Sequence, residues 1–255
     1  MKKLYTFTLC FALMCLFVSP VLAVDAESIR VNDVDYYAYF DEFYSEYQVA
    51  KQSMNSEDMM TAYLDYLVTQ GVIDNTDEAR EIAENSIKQD LRDDIHSAML
   101  VAGAYGKWPM ASGFLSHSLN DAPPDLTYQS GSTYSNKVLN TIEMQGIISN
   151  VYRALSSTTG SYYTTSGSDK FESHGTTDSQ DAFLAIHYFN YSVSAIKNSA
   201  TGKWSIRITL TDVYDYEIHS GYGNPWDTIN NTAAVAQSMG AIVPYNITIN
   251  IQITY

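Results

Sequence analysis

Two different periodicities of apolar residues divide the chain. In the first half, apolar positions recur every three or four residues, which is the pattern of amphipathic helices. This pattern predicts five helices, over residues 34–54, 56–70, 77–105, 111–119 and 133–155. Asn75 or Thr76 is the expected cap of the third helix, and Gly71 the expected end of the second.

From about residue 160 the apolar positions alternate with a period of two, as in half-buried strands. The clearest case is the stripe of Trp204, Ile206, Ile208 and Leu210. Strands are predicted at 189–195, 204–215 and 244–255, short helices at 176–187 and 228–239, a hairpin loop at 198–202, and a strand or loop at 160–172.

These elements predict an α+β protein, with an N-terminal helical region followed by a C-terminal antiparallel-sheet domain that has one or two short helices. The small residues at 156–160 are typical of a linker. We therefore expect a helical region over 24–158 and an α+β domain over 159–255.

Residues 1–23 have the layout of a secretory signal. Lys2 and Lys3 precede an apolar run, and Ala23 satisfies the small-residue cleavage rule. Both cysteines, Cys10 and Cys15, lie in this segment, so the mature chain is expected to lack disulfides and a thiol nucleophile. The prediction is a secreted, extracellular protein without a stable membrane anchor.

Charge narrows the choice of partners. The formal net charge is −15, and cleavage after Ala23 brings it to −17 because two lysines are lost. Such acidity argues against nucleic acid and anionic lipid as partners. The chain also has no Gly-x-Ser-x-Gly elbow, Walker loop or dinucleotide fingerprint, so it matches none of these enzyme classes.

The end of the Trp204 strand carries candidate chemistry. Asp212 and Tyr214 continue its apolar stripe, whereas Asp215 falls on the opposite face. A carboxylate at an inward position is costly unless it has a partner or lies at the wet end of the strand. Either these residues form a site, or the strand leaves the core and they form a solvated turn.

Nearby histidines extend this group. His219 follows in a Gly-rich loop, and Asp181 and His187 lie on the short helix before the 189–195 strand. Asp212, Asp215 and His219 have the ligand types for a divalent cation, and they equally suit an acid/base cluster. The alternatives are a core histidine at position 187 and a loop bystander at position 219.

The C-terminal part of the chain resembles a known family. Residues 185–253 resemble the activity domain of colicin M-like bacteriocins, through the segment 185–189, the Asp-x-Tyr-Asp run 212–215 and the pair 244–245. The His-Arg pair of that family has no counterpart, since Ser220 follows His219. The chain as a whole resembles exported proteins of Firmicutes.

The resemblance implies cleavage of the lipid-linked peptidoglycan precursor between polyprenol and pyrophosphate, with Mg²⁺. Asp212 and Asp215 would hold the metal or activate water, and Tyr214 would orient a phosphate oxygen. A second hypothesis remains open, namely a non-catalytic secreted protein. Its Tyr-rich acidic helices would contact a protein partner or a cell surface, because Tyr is favoured in interfaces.

Overall fold

The computed structural model describes residues 39–40, 43–44, 59–101, 107–172, 176–217 and 226–255. The signal at 1–23 and nearly all of the helix predicted at 34–54 lie outside the described residues. The described helices are α1 (Met59–Thr69), α2 (Asp77–Val101), α3 (Pro109–Ser118), α4 (Thr133–Leu139), α5 (Ile142–Ser157), α6 (Thr177–Ala185) and α7 (Trp226–Ser238). The described strands are β1 (Leu126–Tyr128), β2 (Tyr162–Lys170), β3 (Tyr188–Lys197), β4 (Trp204–Tyr214) and β5 (Tyr245–Thr254).

The five strands form one sheet in the order β1-β5-β4-β3-β2, which confirms the α+β class. The pairs β2–β3, β3–β4 and β4–β5 are antiparallel, whereas β1 is parallel to β5. Asn190 on β3 lies opposite Thr211 on β4, and Asp212 lies opposite Ile247 on β5. The end of β4 therefore lies at the same end of the sheet as the beginnings of β3 and β5.

The alternation in the sequence explains the two faces of the sheet. Alternate side chains of β4 and β5 are buried, and the intervening ones are mostly exposed. The buried set comprises Trp204, Ile206, Ile208, Leu210, Ile247, Ile249 and Ile251. The predicted hairpin between β3 and β4 is also present, because Gly202 takes a φ of +71° and Asn198 Oδ1 accepts hydrogen bonds from the amides of Ala200 and Thr201.

Several predicted helix ends are confirmed. Thr76 Oγ1 accepts a hydrogen bond from the Ala79 amide at 3.2 Å, which makes Thr76 the cap of α2. Gly71 and Gly240 follow the ends of α1 and α7 with φ values of +68° and +71°.

One prediction about the middle of the chain is wrong. The single helix expected at 133–155 is two helices, because the Thr141 hydroxyl accepts a hydrogen bond from the Met144 amide and begins α5 anew. Strand β1, which has three residues and pairs with β5, was not predicted from the sequence.

The chain forms two compact units that differ from the division expected at 158/159. One unit is Met1–Gly103 with Asp215–Val243, and the other is Ala104–Tyr214 with Pro244–Tyr255. The expected boundary falls inside the second unit, because α3 to α5 pack with the sheet and not apart from it. Ser135 of α4, for example, donates a hydrogen bond from Oγ to the Asn250 carbonyl on β5 at 2.7 Å.

Aromatic packing organises the first unit. Tyr63 of α1 is fully buried, with its ring centroid 5.3 Å from that of Phe40 and 4.8 Å from that of Phe43. Arg92 of α2 donates from Nε to the carbonyl of Ala241, just beyond α7, at 3.1 Å. Across the parts of the chain that the structure describes, no helix combines the length and the apolarity needed to cross a membrane.

Candidate functional site

Asp212 occupies a core-facing position of β4. The neighbouring positions on the same face, Leu210 and Tyr214, are 2% and 4% exposed, whereas Asp212 is half-buried. The stripe predicted from the sequence is therefore present, and the carboxylate stands within it near the end of the strand. A carboxylate at the margin of a core keeps partial access to solvent, which lowers the cost of placing it there.

Tyr214 is part of an aromatic cluster in the second unit. Its ring stacks on Tyr245 with centroids 5.2 Å apart and meets Phe114 edge-on with centroids 6.0 Å apart. The Tyr245 hydroxyl donates to the Phe114 carbonyl at 3.0 Å, which fixes the second ring. The Tyr214 ring thus has a clear packing role, and the phosphate-orienting role of its hydroxyl stays a prediction.

His187 is held in an unusual backbone conformation between α6 and β3. Its φ is +46°, a value that only a few per cent of non-Gly residues adopt, although His, Asn and Asp are found there more often than others. The His187 carbonyl accepts a hydrogen bond from the Phe171 amide at 2.7 Å, and the imidazole lies 4.8 Å from the Phe183 ring and 4.2 Å from the Tyr188 ring. The side chain is half-buried between these two rings.

The topology places His187 and Asp212 at the same end of the sheet. Asn190, three residues after His187, lies opposite Thr211, the residue before Asp212. Strained backbone conformations that the surrounding structure maintains are concentrated at functional sites. Among the residues predicted from the sequence, these two are brought to one end of the sheet together with Tyr214.

The other two predicted site residues are placed differently. Asp215 belongs to the first compact unit and is exposed. Partial desolvation of its carboxyl, followed by the nearby Glu217 carboxylate, raises the pKa of Asp215 above its ordinary value. His219 lies outside the described residues, so the predicted cluster of Asp212, Asp215 and His219 stays a prediction. Within the described ranges, no three side chains of His, Cys, Asp or Glu come together as a metal site would require.

Asp181 proves to be a structural residue. Its carboxylate is completely buried and accepts hydrogen bonds from the Met110 amide at 3.1 Å, the Ala111 amide at 2.9 Å and the Lys137 ammonium at 2.7 Å. Asp181 therefore caps the N-terminus of α3 from another helix, where negative charge is favoured. With its acceptor oxygens occupied in this way, the carboxylate has no role in the candidate site.

Comparison with solved structures finds a distant similarity to a bacteriocin. No protein-family model matches the chain, and no curated protein matches its sequence. A structure of truncated bacteriocin syringacin M from Pseudomonas syringae pv. tomato DC3000 aligns over 98% of this chain and 95% of that chain, with 14% identity and a TM-score of 0.30. The crystal structure of syringacin M aligns over 98% of this chain and 83% of that chain, with 14% identity and a TM-score of 0.32.

Proposed function

We propose that the chain is a secreted, toxin-like phosphodiesterase that cleaves a lipid-linked peptidoglycan precursor at the end of the sheet formed by β3, β4 and β5. The observation that carries this proposal is the position of Asp212, a half-buried carboxylate in a row of buried side chains at the end of β4. The Asp-x-Tyr-Asp run that resembles the colicin M-like motif begins at this residue. A partly desolvated carboxylate suits a general base, because its proton affinity can be tuned toward neutral pH.

The residues at this end of the sheet divide the proposed chemistry among them. Asp212 takes a proton from the water that attacks the phosphorus bonded to the lipid oxygen. His187 supplies a proton to that oxygen as the phosphorus–oxygen bond breaks. The Tyr214 hydroxyl, whose ring is fixed by the stack on Tyr245, orients a phosphate oxygen.

Exposed apolar side chains support a lipid-bearing substrate. Tyr188, at the beginning of β3, is 58% exposed, and Val213, near the end of β4, is 47% exposed. Both side chains lie at the same end of the sheet as Asp212, because β3 and β4 are antiparallel, but Val213 alternates with Asp212 and lies on the opposite face of β4. A polyprenyl chain that contacted them would remove apolar surface from water, and the substrate would pass around the end of the sheet to bring its pyrophosphate to the carboxylate.

We include Mg²⁺ in the proposal, with carboxylates as its protein ligands. Mg²⁺ keeps several waters and is commonly bound by one or two carboxylates together with substrate phosphates, so it does not need a cage of protein ligands. Asp212 and Asp215 would hold the ion, and the bound ion would supply positive charge against the pyrophosphate. Asp215 lies in the other compact unit, so this pair of ligands is a prediction from the sequence.

The proposal is tested with the secreted chain and purified lipid-linked precursor. We expect mass spectrometry to show release of the pyrophosphate-linked saccharide in Mg²⁺ and a much slower release in EDTA. A wild-type chain that releases nothing under either condition contradicts the proposal, and the non-catalytic hypothesis then replaces it. Release that is equally fast in EDTA retains the phosphodiesterase and removes the metal.

A further inference from the structure

An open cleft lies on the solvent-facing side of the sheet, away from the core-facing stripe that contains Asp212. It has a volume of about 380 Å³ and is formed across β2, β3 and β4. The side chains that give it its chemistry are those of Thr164, Ser166, Ser192, Ser194, Arg207 and Thr209. A volume of this size falls at the lower end of the range for small-molecule sites, roughly 300–1,000 Å³.

The strand register explains how these residues come together. Thr164 pairs with Ser194, which pairs in turn with Arg207, so the three side chains form one row across the sheet. In the next row, Ser166 pairs with Ser192, which pairs with Thr209. Neighbouring strands lie about 4.8 Å apart. The result is a regular array of five hydroxyls around one guanidinium.

Most of these polar groups remain available to a ligand. Thr209 donates from its hydroxyl to Asn250 Oδ1 at 2.9 Å. In the part of the chain that the structure describes, no side-chain hydrogen bond engages the hydroxyls of Ser192 and Ser194, and no carboxylate pairs with Arg207. The cleft lining includes no acidic residue, although the chain carries a net charge of −15.

We propose that this cleft binds an anionic saccharide, with the carboxylate or phosphate of the sugar on Arg207 and the sugar hydroxyls on the Ser and Thr side chains. The planar guanidinium offers paired donors that match either anion. Each hydroxyl side chain both donates and accepts, which suits a polyhydroxylated ligand. The single cation and the overall negative charge oppose a nucleic acid, which needs many phosphate contacts. The inference does not depend on the phosphodiesterase activity, because Arg207 and Asp212 lie on opposite faces of β4.

Calorimetric titration of the full secreted chain tests the cleft. The probes are trigalacturonic acid for the carboxylate, N-acetylglucosamine 1-phosphate for the phosphate, neutral chitotriose and inorganic phosphate. We expect at least one of the two anionic saccharides to bind, and its Kd to be at least tenfold lower than those of chitotriose and inorganic phosphate. The anionic saccharide that binds identifies the anion recognised.

Variants locate the binding. Arg207→Gln is expected to raise the Kd of the bound saccharide at least tenfold, and Arg207→Lys to raise it less, because the charge remains and the fork is lost. Arg153→Gln is the matched control, since Arg153 is exposed on α5 and its replacement changes the net charge equally. Ser192→Ala is expected to raise the Kd about threefold, and unchanged thermal unfolding establishes that each variant is folded.

The proposal is overturned by no binding of either anionic saccharide, by equal binding of chitotriose, by equal binding of inorganic phosphate, or by an Arg207→Gln variant that binds as the wild type does. Equal weakening by Arg207→Gln and Arg153→Gln would likewise overturn it, since that outcome indicates a general charge effect.

Discussion

The ammonium group of Lys137 lies 2.7 Å from Oδ2 of Asp181, a carboxylate that is completely buried. The same carboxylate accepts the amide hydrogens of Met110 and Ala111, the first turn of α3. One side chain on α6 therefore joins α3 and α4, and it satisfies backbone donors that a helix N-terminus leaves without an intrahelical partner.

Replacing this carboxylate is expected to be severely destabilising. Asp181→Ala leaves two amides without their acceptor and leaves the Lys137 ammonium, whose side chain is only 14% exposed, with the more distant Asp178 alone. We therefore expect a loss of about 3–5 kcal/mol in the free energy of unfolding, measured by denaturant titration. Asp178→Ala is the matched control, because Asp178 also faces Lys137, at 3.4 Å, but its side chain is 36% exposed. A loss below about 1 kcal/mol is expected there. Equal losses for the two variants would contradict the structural role of Asp181.

Alkaline pH is expected to weaken the fold through Tyr128. Burial, and then the neighbouring Tyr134, raise the pKa of Tyr128 to about 12 from the ordinary 10.0. A folded-state pKa above the unfolded value means that this contribution to stability is complete below pH 10 and is lost as the pH rises toward 12. Because the side chain is only partly buried, the expected loss is about 1–2 kcal/mol.

The measurement is the free energy of unfolding of wild type and Tyr128→Phe between pH 9 and pH 12. We expect a flatter profile for the variant, which has no phenol to ionise. Lys137 also contributes a decline in the free energy of unfolding as the pH rises. Burial lowers the pKa of Lys137, but the hydrogen bond to Asp181 and the charges of Asp181 and Asp178 outweigh burial and raise it overall. Superimposable wild-type and variant profiles would show that Tyr128 does not contribute.

The sequence predicts an element correctly where the signal lies within the element itself. The four inward apolar residues of β4 predicted the strand and its buried face, and Thr76 and Gly71 marked helix ends through their own side-chain or backbone chemistry. Strand β1 forms by pairing with β5 and has only three residues. Three residues are too few to show the alternation that predicts a strand.

The residues of the candidate site differ in how far their signals reach along the sequence. Asp212 stood out because it interrupts an apolar stripe, and that signal is local. The role of Asp181 depends on partners 71 and 44 residues away in the sequence, Met110 and Lys137, and nothing near position 181 identifies them. The cleft around Arg207 likewise results from the register of three strands, which the sequence pattern does not specify.

His187 allows a test that separates backbone conformation from chemistry. Asn tolerates the left-handed region, so His187→Asn should keep the φ of +46° and change the free energy of unfolding by less than about 1 kcal/mol. If the imidazole transfers a proton, cleavage of the lipid-linked precursor should fall by about 10²–10⁴-fold. His187→Val is the contrasting variant, because a β-branched residue is strained there, and we expect it to cost about 1–2 kcal/mol. Full activity in His187→Asn would remove His187 from the mechanism.

Processing of the N-terminus gives an independent prediction about location. Because Lys2, Lys3 and Ala23 have the layout of a secretory signal, the exported protein should begin at Val24. Intact-mass analysis of protein from the culture medium is the measurement, with whole-cell protein as its control. A mass that retains residues 1–23 in the medium would reject cleavage at this site.

Asp212→Asn distinguishes a functional carboxylate from a structural one. Asn is nearly isosteric with Asp but carries no negative charge, so it cannot act as a general base or attract a cation as a carboxylate does. If the phosphodiesterase proposal is correct, cleavage of the lipid-linked precursor should be abolished while thermal unfolding stays close to that of the wild type. Asp169→Asn is the control, since Asp169 is exposed on β2 and its replacement removes the same charge.

If Asp212 is instead structural, its replacement should cost about 1–3 kcal/mol in stability, the scale of a disturbed buried hydrogen bond. Any cleavage by the wild type should then persist in the folded variant.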